Sequence, residues 1–285
     1  SMPPKADCLE KAGGILYPLP FPQRTKKPLM SITIKTKEEI AKLREGGKRH
    51  AAILNELKAM VKPGLSTQAL EDRARELIAA GGDTSSFLNY KPKGAKSPYP
   101  AALCVSVNDE VVHGIPSAAK ILENGDIVTI DLGLVHEGMF TDAAVTVPVG
   151  EVSADKLKLI RVAEEALANG IKAAKGGKSI GDIGLAIERT ILPHDLGLVE
   201  ELCGHGVGYS VHEDPFVPNY GEAGVGPKLT PGMVLAIEPI ITLGSPKIKM
   251  LKDGFVYVTT DGSASTHAEH TVLITKGDAE ILTQI

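Results

Sequence analysis

The sequence predicts an α+β fold with a mixed or antiparallel sheet, built as two related halves. Stretches with helical periodicity alternate in blocks with short apolar runs that form hairpins, and this order is typical of α+β proteins. Short segments of the first half recur in the second half in the same order, which indicates an internal duplication. The chain has 285 residues, a length that suits one large domain or two small ones.

Residues 1–31 form a proline-rich N-terminal extension to the domain predicted for residues 32–285. Its stretch Tyr17–Pro22 alternates proline with other residues and favours an extended polyproline II conformation. The extension would be either an arm that lies on the main domain or a ligand for another protein. We favour the arm, because Leu19 and Phe21 offer apolar anchors.

Polar caps and glycine or proline stops predict four helices along the main domain. The first begins with a capping box, in which Thr36 is the N-cap and Glu39 the third helical residue. The remaining N-caps are Ser66 or Thr67, then Ser153, then Ser179 or Asp182. The predicted helices span about 36–61, 66–82, 153–177 and 179–193, with a loop at 90–100 and strands at 102–107 and 110–113.

The stretch 124–142 predicts a β-hairpin with an acid on each strand. A two-residue turn at 137–138 places Asp131 opposite Ala144, and Asp142 becomes the diagonal neighbour on the same face, about 7 Å away at the backbone. Two carboxylates on one buried face repel and cost desolvation energy unless a cation lies between them. The alternative is a pair of solvated acids at strand ends.

The internal duplication is indicated by two echoes. Asp131 and Glu238 each follow a glycine by six positions, with mainly apolar residues between. The segments 62–67 and 175–180 also resemble each other, and each precedes a helical stretch. The offsets are 107 and 113 residues. Chance can produce one echo, but several in the same order favour a duplication in which each half brings one acid to a shared centre.

Composition argues against several classes of function. The net charge is −4 and no basic block is present, so a nucleic-acid partner is not indicated. No run approaches the ~18 apolar residues of a membrane span. The three cysteines are scattered and odd in number, which fits free thiols in a reducing cytosol. A cytoplasmic location is therefore expected.

Five side chains form a candidate metal-binding set: Asp131, Asp142, His205, Glu238 and Glu269. Carboxylates with an imidazole suit a pair of hard or borderline divalent ions, with carboxylates bridging them. No cysteine accompanies the set, so a structural zinc site is not expected. His205 lies between glycines, where the backbone can turn sharply, although a lone histidine is more often structural than a ligand.

From about Ile32 to Ile285 the chain resembles the type I methionine aminopeptidases, which have the pita-bread fold. The motifs that carry the resemblance are V-V-H-G-I-P at 111–116, G-D-I-V-T-I-D at 125–131, T-D at 141–142, G-H-G-V-G-Y-S-V-H-E-D-P at 204–215, P-G-M-V-L-A-I-E-P at 231–239 and A-E-H-T at 268–271. The resemblance implies one catalytic domain of two pseudo-symmetric halves, each with helices packed on a mainly antiparallel sheet. The metal site would lie between the halves.

The resemblance implies a dinuclear metal-dependent methionyl aminopeptidase. Such an enzyme removes the N-terminal methionine from peptides and nascent proteins when the second residue is small, by means of a metal-activated bridging water. Asp131 would bind one ion, His205 and Glu238 would bind the other, and both Asp142 and Glu269 would bridge them. The two divalent ions would be cobalt, manganese, iron, zinc or nickel, and the native metal stays open.

Catalytic and specificity roles also follow from the resemblance. Glu238 would carry a proton from the water to the leaving amine, His212 would stabilise the oxyanion, and His113 would contact the substrate amide nitrogen. The expected methionine pocket consists of Phe87, Tyr90, Tyr99, Cys104, Val211 and Phe255. Departures from the better-known bacterial pattern are Val211, Gly133 and an insertion within 91–98, and they leave the pocket shape and one contact near the first ligand open.

Two alternatives remain at this stage. A prolidase or other X-Pro peptidase shares the five ligands but usually carries a full N-terminal domain, whereas about 30 residues precede the main domain here. A binding-only relative usually lacks some ligands. We expect a monomer that acts on N-terminal Met peptides and nascent chains, with the extension as a possible contact to the ribosome or another protein.

Overall fold

The structure is a computed structural model that describes residues 32–91 and 96–284. The predicted extension, residues 1–31, and part of the predicted insertion within 91–98 therefore lie outside the described residues. The helices are α1 (Lys37–Met60), α2 (Thr67–Ala80), α3 (Ala154–Ala173) and α4 (Ile180–Ile191), followed by a 3-10 turn at Leu192–His194. No helix in these two ranges has both the length and the apolar character that crossing a membrane requires.

Fifteen short strands accompany the helices in the described ranges. They are β1 (Thr84–Ser85), β2 (Leu103–Val107), β3 (Glu110–Val112), β4 (Ile127–His136), β5 (Met139–Pro148), β6 (Gly197–Leu198), β7 (Cys203–Gly206), β8 (Glu213–Pro218), β9 (Val234–Ile237), β10 (Ile240–Thr242), β11 (Ile248–Met250), β12 (Tyr257–Thr259), β13 (Ser265–His267), β14 (His270–Leu273) and β15 (Glu280–Ile281).

All four predicted helices are confirmed. Thr36 is the N-cap of α1, and its side chain and that of Glu39 satisfy each other's backbone N–H groups as the capping box requires. Ser66, rather than Thr67, caps α2, and Ser153 caps α3. Ser179, rather than Asp182, occupies the N-cap of α4. At α2 and α4 the structure thus selects the first of the two predicted N-caps.

The hairpin of β4 and β5 has the predicted register. Asp131 lies opposite Ala144, and Gly133 lies opposite Asp142, which makes the two acids diagonal neighbours. The turn residues Glu137 and Gly138 have φ values of 45° and 78°. A two-residue turn with φ above zero at both positions matches the twist of antiparallel strands, so it sets the register firmly.

Every strand pairing within the described residues is antiparallel. The sheet of the first half has the order β1-β4-β2, with β5 paired to β4, and the main sheet of the second half has the order β15-β14-β9-β7-β8. Two further three-stranded sheets are β13-β10-β6 and β11-β12-β3. Of the two predicted sheet types, mixed and antiparallel, the described residues form the antiparallel one.

The duplication is visible in isolated backbone contacts. Ser66 bridges to Ile121 in the first half, and Ser179 bridges to Lys228 in the second, both in antiparallel fashion. The offsets between the matching partners are 113 and 107 residues, the same two that separate the sequence echoes. Each bridge ties the start of a helix to the segment that leads into the acid-bearing strand.

The glycine turns beside these bridges repeat as well. The N–H of Gly64 donates to Leu122 O at 2.8 Å, and the N–H of Gly177 donates to Leu229 O at 2.8 Å. Both glycines have a φ of 85°, a left-handed conformation that glycine adopts at little cost. The two halves therefore share the same backbone frame around each helix pair.

Each half has its own apolar core between helices and sheet. Leu57 of α1 and Leu70 of α2 share one core cluster with Leu132 of the first-half sheet. Leu159 of α3 and Ile183 of α4 share the other with Leu235 of the second-half sheet. The halves meet along β5 and the segment that joins β13 to β14, where Glu269 N–H donates to Ala144 O. This arrangement leaves the acid-bearing strands in the middle of the molecule.

A buried carboxylate in the first half stabilises the approach to β2. Glu71 of α2 is 1% exposed and accepts hydrogen bonds from the backbone N–H groups of Ala102 and Leu103, each at 2.8 Å. Arg75 also donates to it at 2.5 Å. A buried donor left without a partner costs about 1–3 kcal/mol. Glu71 therefore contributes to the stability of the fold.

We expect Glu71→Ala to lower the free energy of unfolding by about 3 kcal/mol, since two buried N–H groups lose their acceptor. The matched control is Glu76→Ala in the same helix, whose side chain is 66% exposed in a pair with Arg73, and it should cost less than about 1 kcal/mol. Urea denaturation followed by circular dichroism measures both. Equal losses in the two variants would contradict the structural role of Glu71.

Candidate metal centre

The five residues of the predicted set converge on one buried centre. Asp131 lies in β4, Asp142 in β5 and His205 in β7, while Glu238 directly follows β9 and Glu269 lies between β13 and β14. None of the five is more than 9% exposed. Their convergence from both halves agrees with the expectation of a centre between the halves, and their roles as ligands stay a proposal.

His205 faces two of the carboxylates through one ring nitrogen. Its Nε2 lies 3.5 Å from Glu238 Oε1 and 3.9 Å from Asp142 Oδ2. Its other nitrogen, Nδ1, lies 3.0 Å from the carbonyl oxygen of Gly206, which can accept a hydrogen bond but cannot donate one. The proton therefore sits on Nδ1, and the lone pair of Nε2 points toward the carboxylates. This is the arrangement that a metal-binding histidine requires.

The carboxylates of the centre have no cationic side chain to neutralise them. Within residues 32–91 and 96–284, no lysine or arginine forms an ion pair with Asp131, Asp142, Glu238 or Glu269. One oxygen each of Asp131 and Asp142 is buried without a hydrogen bond to any described residue. Buried anions need a counter-charge, so the residues present fit divalent cations well.

The metal-free protein responds to this crowding by holding protons. Burial raises the pKa of Asp131 to about 7, although the nearby His267 opposes the rise. Burial, then the neighbouring Asp131 and Glu238 carboxylates, raises the pKa of Asp142 well above its usual value. Burial and the facing Asp142 carboxylate do the same for Glu269. These carboxyls would release their protons when a divalent cation binds.

Contacts between the halves hold the ligand-bearing strands together. Asp142 N–H donates to Thr271 Oγ1 at 2.8 Å, and the same hydroxyl donates to Asp142 O at 2.7 Å. Glu269 N–H donates to Ala144 O at 3.0 Å. Because backbone groups next to Asp142 and Glu269 are joined directly, the two carboxylates keep a fixed separation.

The structure adds His267, to which sequence reasoning gave no role in the centre. It is 3% exposed, and its Nε2 lies 3.4 Å from Glu238 Oε2 and 3.6 Å from Glu269 Oε2. A usable signal was present in the sequence. His267 precedes Glu269 by two positions, and alternate residues of an extended segment point to the same face.

The two predicted catalytic histidines border the centre. The ring centroids of His212 and His205 are 4.5 Å apart, and Tyr90 Oη lies 3.1 Å from His212 Nδ1. Burial, and then the neighbouring His205 and His113 rings, lowers the pKa of His212 well below its usual value. Burial likewise lowers the pKa of His113 to about 4. Both rings are therefore neutral at pH 7.

His113 adopts a backbone conformation that is unusual for its residue type. Its φ is 61°, in the left-handed region that costs a non-glycine residue of order 1 kcal/mol or more. Its Nδ1 lies 3.3 Å from Phe255 O. The strained backbone and this hydrogen bond fix the ring beside the centre, which suits a residue that positions a substrate.

The six expected pocket residues lie together in one apolar cluster: Phe87, Tyr90, Tyr99, Cys104, Val211 and Phe255. Tyr99 packs edge-on against Phe255 with ring centroids 5.4 Å apart. Cys104 is the strand partner of Asp131, so the cluster directly adjoins the centre. A thiol with aromatic neighbours suits a thioether side chain.

Two of the sequence departures receive a structural explanation. A side chain at Gly133 would collide with Ser86 Oγ and with the Phe87 ring, so Ser86 occupies the space beside the first predicted ligand. Val211 is 2% exposed and packs in the pocket cluster. The third departure, the insertion within 91–98, is described in part, and its effect on the pocket entrance stays a prediction.

Comparison with known proteins identifies the relatives of this chain. Residues 41–276 match the model of metallopeptidase family M24. Methionine aminopeptidase 1 of Bacillus subtilis (strain 168) is 42% identical over 254 residues, which cover 89% of this chain and 100% of that protein. The crystal structure of methionine aminopeptidase from Thermotoga maritima has a TM-score of 0.86 at 41% identity, with 90% of this chain and 100% of that chain covered.

A more distant neighbour bears on the X-Pro peptidase alternative. The prolidase from Pyrococcus furiosus has a TM-score of 0.68 at 23% identity, with 89% of this chain and 66% of that chain covered. At that identity the likeness concerns the fold alone. The fold and the buried carboxylate centre define a metallopeptidase of the pita-bread type. The chain belongs to metallopeptidase family M24 and, within it, to the methionine aminopeptidases.

We expect Asp142→Asn to reduce bound metal and to abolish turnover, because it removes one anionic ligand from the centre. The same change should raise the stability of the metal-free protein at pH 7. The folded wild-type protein holds protons on its buried carboxyls that the unfolded chain releases above pH ~4. Its free energy of unfolding therefore falls as the pH rises from about 4 to about 7, and Asp142→Asn should flatten that slope.

Metal analysis and urea denaturation in a chelator at several pH values measure these effects. Asp72→Asn, at an exposed position in α2, is the control and should change neither metal content nor slope. Full metal content and activity in Asp142→Asn would contradict the assignment of Asp142 as a bridging ligand.

Proposed function

We propose that this protein removes the N-terminal methionine from peptides and nascent chains whose second residue is small. The observation that carries the proposal is the buried set of four carboxylates with an imidazole, which directly adjoins an apolar pocket through the Cys104–Asp131 strand pair. The identity of 42% to a methionine aminopeptidase over its full length supports the same activity.

The proposed ligands are Asp131, Asp142, His205, Glu238 and Glu269. Two divalent ions, when bound there, supply polarisation of the scissile carbonyl, a water with a lowered pKa and an anchor for the free α-amine of the substrate. Glu238 accepts the proton of the attacking water and passes it to the leaving amine. Asn219 Nδ2 donates to the Glu238 backbone carbonyl at 3.0 Å, which helps to hold this residue in place.

The neutral histidines act on the substrate as hydrogen-bond partners. With the Tyr90 hydroxyl donating to Nδ1, the proton of His212 is on Nε2, where it can donate to the oxygen that becomes negative as the tetrahedral intermediate forms. His113 contacts the amide nitrogen of the scissile bond. The His212 ring is neutral at pH 7 and can act as this donor, because burial holds its pKa well below its usual value.

Substrate choice would be set by two neighbouring spaces. The cluster of Phe87, Tyr99, Cys104 and Phe255 encloses the methionine side chain. The second residue of the substrate lies between the metal centre and the wall near His113, where a bulky side chain would push the scissile carbonyl out of line. A misplacement of 1 Å can cost about 10²-fold in rate.

Three finer points are part of the proposal. The enzyme would act as a monomer, and it would act in the cytoplasm, where nascent chains are made. The N-terminal extension, residues 1–31, would serve as an arm on the main domain, with a contact to the ribosome or another protein as the alternative. Its composition fits either role, because Leu19 and Phe21 offer apolar anchors and proline-rich segments are common recognition elements.

We expect His212→Ala to lower kcat by about 10²-fold or more while the metal content stays that of the wild type. Tyr90→Phe removes the hydroxyl next to His212 Nδ1 but leaves the ring in place, so it should cost less. Steady-state kinetics with a Met-Ala-Ser peptide, together with metal analysis, test both variants. Loss of metal in His212→Ala would make His212 a ligand and contradict its role as a donor.

The substrate series Met-X-Ser-Lys tests the crowded second position. We expect kcat/KM to be high for X = Ala, Gly, Ser, Thr, Val, Pro or Cys and to fall steeply for X = Phe. A series Z-Ala-Ser-Lys should favour Z = Met, with norleucine tolerated because Val211 leaves room at the pocket floor.

Comparable kcat/KM values for X = Ala and X = Phe would refute the crowded second position, and comparable values for Z = Met and Z = Lys would refute the methionine pocket. An Ala-Pro peptide is the control for the alternative activity. Faster cleavage of Ala-Pro than of Met-Ala-Ser would favour an X-Pro peptidase, and no metal-dependent cleavage of either would favour a binding protein.

A further inference from the structure

A second imidazole faces the candidate metal centre, and the proposed mechanism does not use it. His267 ends β13 and is 3% exposed. Neither of its ring nitrogens makes a hydrogen bond within the part of the chain that the structure describes. A buried imidazole without such a partner is costly, so its position calls for a ligand on at least one nitrogen.

The surroundings of His267 Nε2 are anionic on two sides. Glu238 Oε2 lies at 3.4 Å and Glu269 Oε2 at 3.6 Å. Both distances exceed the 2.7–3.2 Å of an ordinary N–H···O hydrogen bond, and a single proton could satisfy one carboxylate only. A cation placed among the three groups would satisfy all of them.

The same separations suit a shared ion. For metal–ligand bonds of 2.0–2.2 Å in a tetrahedral arrangement, neighbouring ligand atoms are about 3.3–3.6 Å apart. The contacts of His267 to Glu238 and Glu269 fall in this range. They are similar to the contacts of His205 to Glu238 and Asp142, at 3.5 and 3.9 Å.

Glu238 is thus held between two imidazoles, one on each carboxylate oxygen. Its Oε1 faces His205 and its Oε2 faces His267. Two groups of potential ligands converge here and share Glu269: Asp142 with His205, and Glu238 with His267. Each group contains one imidazole, and the two imidazoles approach different oxygens of Glu238.

The backbone of His267 is fixed firmly enough for a ligand. Its N–H donates to Thr146 Oγ1 at 3.2 Å, and the Thr146 hydroxyl donates to the carbonyl oxygen of His267 at 2.9 Å. Thr146 belongs to β5 in the first half, so a residue of the other half anchors the position.

We propose that His267 is a sixth protein ligand of the metal centre, binding through Nε2 the ion that Glu238 and Glu269 would also hold. This inference rests on the proposed metallopeptidase centre, but it concerns metal binding and can be tested without any peptide. An added imidazole favours cobalt, zinc, nickel and iron over manganese, because manganese prefers oxygen ligands.

The test is proton NMR of the protein loaded with two equivalents of Co²⁺, in which each metal-bound histidine gives a strongly shifted ring N–H signal that disappears in D₂O. We expect two such signals in the wild type and one in His267→Gln. The control is His270→Gln, which should keep both. His270 is adjacent to Glu269 in sequence, but its Nδ1 lies 2.9 Å from Thr283 Oγ1.

Calorimetric titration gives the second measurement. We expect His267→Gln to weaken one of the two Co²⁺-binding steps by at least ~10-fold and the corresponding Mn²⁺ step by less, with His270→Gln unchanged.

One shifted N–H signal in the wild type, or two in His267→Gln, would overturn the proposal and leave His267 as a hydrogen-bonding neighbour of Glu238. The wild-type spectrum decides this even if the variant fails to fold. Because neither measurement uses a peptide, absent peptidase activity would refute the proposed function separately.

Discussion

The structure depends on one electrostatic constraint, the burial of four carboxylates in a space without a lysine or arginine partner among the described residues. An isolated buried carboxylate is so unfavourable that it normally takes up a proton, and the raised pKa values of Asp131, Asp142 and Glu269 express that tendency. The cluster therefore costs stability in the metal-free state. Divalent cations remove the repulsion, so folding and metal binding stabilise each other.

A rigid backbone frame is needed to hold like charges together, and the two duplicated halves provide it. Each half fixes the entry to its acid-bearing strand with the same bridge, Ser66 to Ile121 in one and Ser179 to Lys228 in the other. The halves are then joined beside the ligands through the Thr271 hydroxyl and the Ala144–Glu269 backbone pair. The frame is symmetric, yet the proposed ligands are not: the first half contributes two aspartates and the second contributes glutamates and histidine.

Much of this could be predicted from the sequence because its signals are local. A capping box, a two-residue turn and a repeated glycine spacing each involve residues within a few positions of one another, and the helices and the hairpin register followed from them. The short strands such as β6 and β15, with two residues each, have too few positions for any periodicity. The contact of Tyr90 with His212 joins residues 122 positions apart, and no local pattern encodes it. His267 could be predicted only in part. Its spacing to Glu269 is visible in the sequence, but its approach to Glu238 is not.

Chemistry and specificity are coupled through the register of a single strand, β4. Asp131 is paired with Cys104 on one side and with Ala144 on the other, so the first predicted ligand and a pocket wall stand on the same face of the sheet. Asp142 reaches that face because the turn at Glu137 and Gly138 contains two residues and no more. A slip of one residue would turn Asp142 to the opposite face, away from Asp131 and from His205. A turn at the far end of the hairpin, with φ above zero at both positions, thus determines whether the Asp142 carboxylate enters the centre.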